Sequence, residues 1–165
     1  MKTRLVTLLI VLLGINLIAL ADDSPESTVD RYFQAYSDMD VEGMLDVYAP
    51  DAVFSDILQR HRVEGSEALR TLLSGLVAVH SKMSVRIQRK IASGNRVAVE
   101  FVYAGRLSGE ALRQLTGKTQ CRDVDYEIPA TSWFRIDNGH IVEQTDFIDV
   151  TTLAEVKAKA AGASH

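Results

Sequence analysis

Hydrophobic and polar positions follow helical spacing in the first half of the chain and strand alternation in the second. Val29, Tyr32, Phe33 and Tyr36 recur at intervals of three and four, one apolar-aromatic stripe on a helix that Ser27 or Thr28 can cap. Ser37 to Asp40 interrupts the pattern. Val41, Met44, Leu45 and Tyr48 then predict a second, shorter amphipathic helix ended by Pro50-Asp51. Ala52 to Ser55 reads as a short strand, followed by a polar loop through Asp56, Arg60, His61 and Arg62. Gly65 and Ser66 lead into a third helix whose buried stripe is Ala68, Leu69, Leu72, Leu73 and Leu76.

From Met83 the period becomes two. Met83 to Ile91 and Arg96 to Leu107 predict strands joined by the turn Ser93-Gly94-Asn95. Ser108 to Gly117 reads as a loop with at most one helical turn. The segment Arg122 to Ile136 and its partner His140 to Val150 flank Asp137-Asn138-Gly139, a strong hairpin signal. Strict alternation places His140, Val142, Gln144, Asp146 and Ile148 on one face of the last strand. Ile141, Glu143, Thr145, Phe147 and Asp149 fall on the other. Apolar residues on both faces imply that both are at least partly covered. An acid at Asp146, mid-strand, needs water or a polar pocket. Ala154 to Ala161 reads as a weak tail helix with little to bury. The expectation is one α+β domain with three N-terminal helices and a bent antiparallel sheet.

The first residues belong to a different category. Lys2 and Arg4 precede an apolar run, Leu5 to Leu20, that ends in Ala19-Leu20-Ala21, the pattern of a cleaved secretory signal peptide. An uncleaved anchor helix is the competing reading; the short run and its small-residue end disfavour it. Export to the periplasm or medium, cleavage after Ala21 and a single domain over residues 22–165 follow, with no membrane association after cleavage. No cysteine follows the cleavage site to take a lipid. The formal charge is −4, or −6 without Lys2 and Arg4, and no basic cluster is present, which argues against nucleic acid as a partner. Cys121 is the single cysteine, so no intrachain disulfide forms, and pairing between chains is the remaining option. The four histidines have no metal-ligand spacing, and neither a phosphate-cradling glycine loop nor a nucleophile elbow occurs, so no metal or cofactor is expected.

The segments Arg31 to Asp56 (RYFQAYSDMDVEGMLDVYAPDAVFSD), Glu64 to Leu73 (EGSEALRTLL) and Ile128 to Val150 (IPATSWFRIDNGHIVEQTDFIDV) resemble the SnoaL-like branch of the nuclear transport factor 2-like superfamily. The resemblance covers nearly all of residues 22–165. It implies a cone made by a bent sheet wrapped by three helices, with an internal pocket and often a homodimer. It does not fix an activity, because isomerases, cyclases, epoxide hydrolases and non-catalytic proteins share the cone. Against ketosteroid isomerases, Tyr32 matches the oxyanion-stabilising tyrosine and Asp56 the general base, while the second oxyanion donor falls at Ala130. Against limonene-type epoxide hydrolases, Asp146 matches one aspartate of the Asp-Arg-Asp set, and the other two positions hold Phe101 and Tyr103. SnoaL-type cyclases imply an inward aspartate with a nearby histidine.

Two readings follow. In one, the cone holds a small, largely apolar ligand without chemistry, lined by Phe101, Tyr103, His61, Ala130, Ser132 and Gln144. In the other, Asp56 and Asp146 act as acid and base, with Tyr32 or Tyr103 as donor, in an isomerase, cyclase or hydrolase reaction. Each candidate has a plainer alternative: Asp56 as a turn-forming aspartate, Asp146 as a structural hydrogen-bond acceptor, Tyr32 as core. Arg60, His61 and Arg62 together could attract an anion or remain a solvated loop. His80 and His140 read as surface residues. Trp133, Arg135, Thr145 and Phe147 form an outer face suited to a two-fold contact.

Overall fold

A computed structural model of the chain describes residues 24–162. The expected leader, residues 1–21, lies outside the described residues. The first helix, α1 (Pro25–Ser37), starts earlier than Ser27 or Thr28 would allow as caps. Ser24 is the N-cap, its Oγ accepting from the Ser27 amide at 3.2 Å. Pro25 occupies the first turn, where a missing N–H loses nothing. Thr28 instead donates to the Gly139 carbonyl at 3.2 Å, docking the helix on the hairpin turn. The second helix, α2 (Val41–Asp46), is shorter than predicted. Tyr48 belongs not to its last turn but to strand β1 (Tyr48–Asp56). The Ile141 amide, donating to the Val47 carbonyl at 2.8 Å, draws the chain into the sheet there. Pro50 sits where the pairing of β1 shifts register, a position that needs no ladder donor.

The predicted polar loop is a tight turn followed by a strand, β2 (His61–Glu64), which pairs with β1 and sets Asp56 opposite His61. Helix α3 (Ser66–Ala78) then leads to β3 (His80–Ser93) and β4 (Arg96–Leu107). The loop expected at 108–117 is an eight-residue helix, α4 (Gly109–Thr116). Ser108 caps its start, and Gly117 ends it at a φ of 70°. Strands β5 (Val124–Asp137) and β6 (His140–Ile148) form the expected hairpin, with Asn138 and Gly139 both at positive φ as a two-residue turn requires. The tail helix, α5 (Val150–Ala160), is longer than predicted and buries Val156 and Ala160. Asp149 caps it through the Thr151 and Thr152 amides.

The described residues form one curved, unclosed sheet in the order β2-β1-β6-β5-β4-β3. It is not wholly antiparallel: β1 runs parallel to β6, because α1 and α2 carry the chain round before β1 enters beside the last strand. Helix α1 lies across the inner face, where Phe33 meets Phe101 at 4.9 Å between ring centroids and Tyr36 meets Tyr103 at 4.9 Å. Val29, Met44, Leu69, Phe101 and Ile141 are fully buried in this core. Strict alternation in β6 fails at one point. Arg135 pairs with Glu143 and Ile136 with Ile141, so Val142 is the extra residue of a bulge. Ile141 therefore turns inward together with Gln144 and Asp146, instead of lying on the opposite face as alternation predicts.

Candidate functional site

The inner face of the sheet, α3, α4 and α5 enclose a cavity of about 400 Å³, the size of a small-molecule site. Its walls are mainly aliphatic, including Leu72, Leu76, Leu107, Leu112 and Ile128. The helix α5 adds Leu153 and Val156 to the lining, so the segment read as a tail with little to bury closes one side.

The polar part of the cavity is built by two adjacent parallel strands. Asp56 ends β1 and Asp146 lies near the end of β6, and the two are register partners. Both are buried, at 3% and 2% exposure, and both line the cavity. Asp146 is held by three side-chain donors. Its Oδ1 accepts from Ser132 Oγ at 2.5 Å and from Gln144 Nε2 at 2.9 Å. Its Oδ2 accepts from the Tyr103 hydroxyl at 3.3 Å. Tyr48 in turn donates to Gln144 Oε1, which orients that amide so its nitrogen faces the carboxylate. Asp56 accepts from the Gln59 amide at 2.9 Å and from Gln59 Nε2 at 2.5 Å, closing the turn after β1.

Burial dominates the electrostatics. Removal from water pushes the Asp146 carboxyl up to about 6, against the three hydrogen bonds that favour its charged form, and the neighbouring Asp56 adds to the rise. Burial also raises the Tyr32, Tyr48 and Tyr103 hydroxyls, and the Asp146 charge pushes each further. These phenols therefore stay protonated and act as donors at neutral pH. Tyr126, at the far wall, is pushed up to about 12 by burial. Its hydroxyl lies where a side chain on Gly105 would stand, 2.7 Å from that Cβ position, so glycine is required there.

The structure thus brings Asp56, Asp146, Tyr32, Tyr103 and His61 to one cavity. Ser132 and Gln144 are buried behind Asp146 and touch it rather than the cavity. Phe101 and Ala130, expected as ligand contacts, are register partners packed into the core and are not among the lining residues. Sequence reasoning missed His80. Expected at the surface, it lines the cavity, its Nδ1 2.6 Å from the Leu76 carbonyl and its ring edge-on to Tyr126. A carbonyl only accepts, so Nδ1 carries the proton and Nε2 is left as an acceptor. Burial also lowers the His80 pKa, favouring this neutral form. The visible signal was its place two residues past α3, where the last-turn carbonyls need donors. Among the described residues no group of three or more His, Cys, Asp or Glu side chains is placed to hold a metal ion.

A curved open sheet wrapped by helices around a cavity with buried acids is the cone of ketosteroid isomerase-like proteins. The SnoaL-like domain model matches residues 29–144, and the chain belongs to that family. A SnoaL-like protein of Shewanella denitrificans superposes with a TM-score of 0.71 at 20% identity, over 82% of this chain and 97% of that one. A protein of ketosteroid isomerase-like fold from Catenulispora acidiphila, in complex with trimethylamine, gives 0.65 at 16% identity over 84% and 97%. An LEH-like epoxide hydrolase of M. tuberculosis gives 0.62 at 19% identity over 82% and 90%. At such identities the likeness is one of fold. No curated protein matches the sequence.

Proposed function

We propose that the protein is a binding module for a small, largely apolar ligand held in the cavity beside Asp146. The carrying observation is the cavity itself: about 400 Å³, walled mainly by aliphatic side chains, with Asp146, Tyr32 and Tyr103 among its polar groups. Tyr103 and Tyr32 offer hydroxyls, and Asp146 an acceptor, to a polar atom on the ligand. The neutral probe N-phenyl-1-naphthylamine tests this. It should bind saturably at one site per chain with a rise in fluorescence, and Leu76→Trp, which fills the cavity, should abolish that rise. Absence of saturable binding, or binding indifferent to Leu76→Trp, overturns the reading.

A second reading is favoured by the burial of Asp146 in the cavity wall, which raises its carboxyl to about 6. A carboxylate of that basicity can take a proton from a carbon or oxygen acid and return it near neutral pH. Tyr103 would stabilise its charged form, and Asp56 lies next to it across the parallel pair. The isomerase and epoxide hydrolase residue sets are both incomplete here, with Ala130, Phe101 and Tyr103 at positions where those enzymes use an aspartate or arginine. That supports binding as the first reading.

Export as a cleaved protein and assembly as a homodimer belong to the same proposal. The outer sheet face supports the dimer: Trp133 is 58% exposed, Ile91 61% and Phe147 38%, a contiguous apolar strip on strands β3, β5 and β6. Among the described residues no helix is long and apolar enough to cross a membrane.

A further inference from the structure

The cavity is lined by charges of both signs, the acids buried and the cations exposed. Its two carboxylates, Asp56 and Asp146, are buried and already engaged by Gln59, Ser132, Gln144 and Tyr103. Among the described residues no other acidic side chain lines it. Exposed Lys118, Lys157 and His61 also line it. Among the described residues neither lysine has a carboxylate within 4.0 Å; Arg31, Arg60, Lys82, Arg96, Arg113, Arg122 and Lys159 are likewise without an ion pair, but only Lys118 and Lys157 of these cations line the cavity. Lys157 Nζ uses one of its donors on Gln59 Oε1 at 3.2 Å, and two remain. Gln59 stands between Lys157 and Asp56, so that ammonium is not simply the counter-charge of the buried acid. The trio Arg60-His61-Arg62 is not the cationic feature its sequence suggests, since Arg62 pairs with Glu64 and only His61 lines the cavity.

We infer that the ligand is amphipathic, an apolar body inside the cavity with a carboxylate-class anion at its mouth, met by Lys118 and Lys157. The inference rests on the binding reading above and adds the charge and orientation of the ligand. A protein of net charge −4 repels anions at long range, so two unpaired lysines on the rim of an apolar cavity give the anionic end of a buried ligand a favourable place to stop. The long aliphatic stems of both lysines extend the apolar wall to the rim, which keeps the charge in water while the body is buried. Asp56 and Asp146 are buried where the lysines are exposed, so an anion carried past the rim meets like charge.

Three isosteric probes separate the possibilities: 1-naphthaleneacetate, 1-naphthaleneacetamide and 2-(1-naphthyl)ethylamine, each titrated by calorimetry into the whole protein. The acetate should bind about tenfold tighter than the amide at low salt, the sum expected of two exposed pairs, and most of that preference should vanish at high salt. The amine should bind no better than the amide. In Lys118→Gln/Lys157→Gln, the acetate should fall to the amide's affinity. An acetate no tighter than the amide, or a preference that survives the double substitution, overturns the inference while leaving a ligand pocket. Failure of all three probes, together with N-phenyl-1-naphthylamine, removes the pocket reading and the inference with it.

Discussion

Replacing Asp146 by Asn tests whether this carboxylate is held at a disadvantage for the sake of the site. Burial carries its pKa from 3.8 to about 6. A group raised in this way binds more protons in the folded than in the unfolded chain between those values, so stability falls as pH rises through that window and is flat above it. At 1.36 kcal/mol per factor of ten in proton affinity, the charged form at pH 7 lowers stability by about 3 kcal/mol relative to pH below 4. Asparagine keeps the shape and removes the charge. Its carbonyl accepts from Ser132 and Gln144, and its amide faces the Tyr103 hydroxyl, which can accept as well as donate. The whole-protein pH profile will not isolate this, because Asp125 and Asp149 are lowered by their own partners and act in the opposite sense. The difference between variant and parent does isolate it. Urea unfolding of both proteins from pH 4 to 8 should show that difference moving about 3 kcal/mol towards Asp146→Asn as pH rises, or roughly 10 °C in melting temperature. Parallel curves would mean that the three donors to Asp146 cancel its burial, and the acid–base reading would then lose its support.

The other two expectations concern assembly and processing. Trp133→Glu with Phe147→Glu places like charges on the exposed outer strip, and sedimentation at micromolar concentration should show a dimer for the parent and a monomer for the variant; a monomeric parent refutes the assembly. Expression with the natural leader in a bacterial host should yield exported material whose intact mass begins at Asp22, and recovery of chains retaining Met1 refutes cleavage.

Most elements could be read from the sequence because their signals are local. The stripe Val29, Tyr32, Phe33, Tyr36 is buried as its spacing requires, and the Asn138-Gly139 turn closes the hairpin it announces. The departures come from forces the local pattern does not contain. Tyr48 satisfies a helical period, yet the β6 edge takes it, because a ladder pairing with Ile141 offers the backbone more than one further helical turn. Helix α4 was hidden by its glycines, although Ser108 and Gly117 are where a cap and a stop belong. Helix α5 looked too weak to matter because its own apolar stripe is thin. Its burial comes from the cavity it covers, which no periodicity within α5 reveals.

The site was partly legible for the same reason. An acid within a strand with apolar neighbours signals a polar interior, and Asp146 is that case. What the sequence does not show is the parallel β1–β6 pairing, which depends on where the first two helices return the chain. That pairing alone makes Asp56 and Asp146 neighbours across 90 residues of sequence. The bulge at Val142 is equally decisive, since without it Ile141 and Asp146 would point to opposite faces. One extra residue lets the same strand bury a core isoleucine at one end and two polar side chains, Gln144 and Asp146, at the other. The placing of the buried acids is thus a property of strand register, while the lining lysines Lys118 and Lys157 come from outside the sheet. Sheet and rim can therefore vary separately: substitutions at the lysines should change which ligand charge is accepted, while those at Ser132, Gln144 or Tyr103 should change the basicity of Asp146.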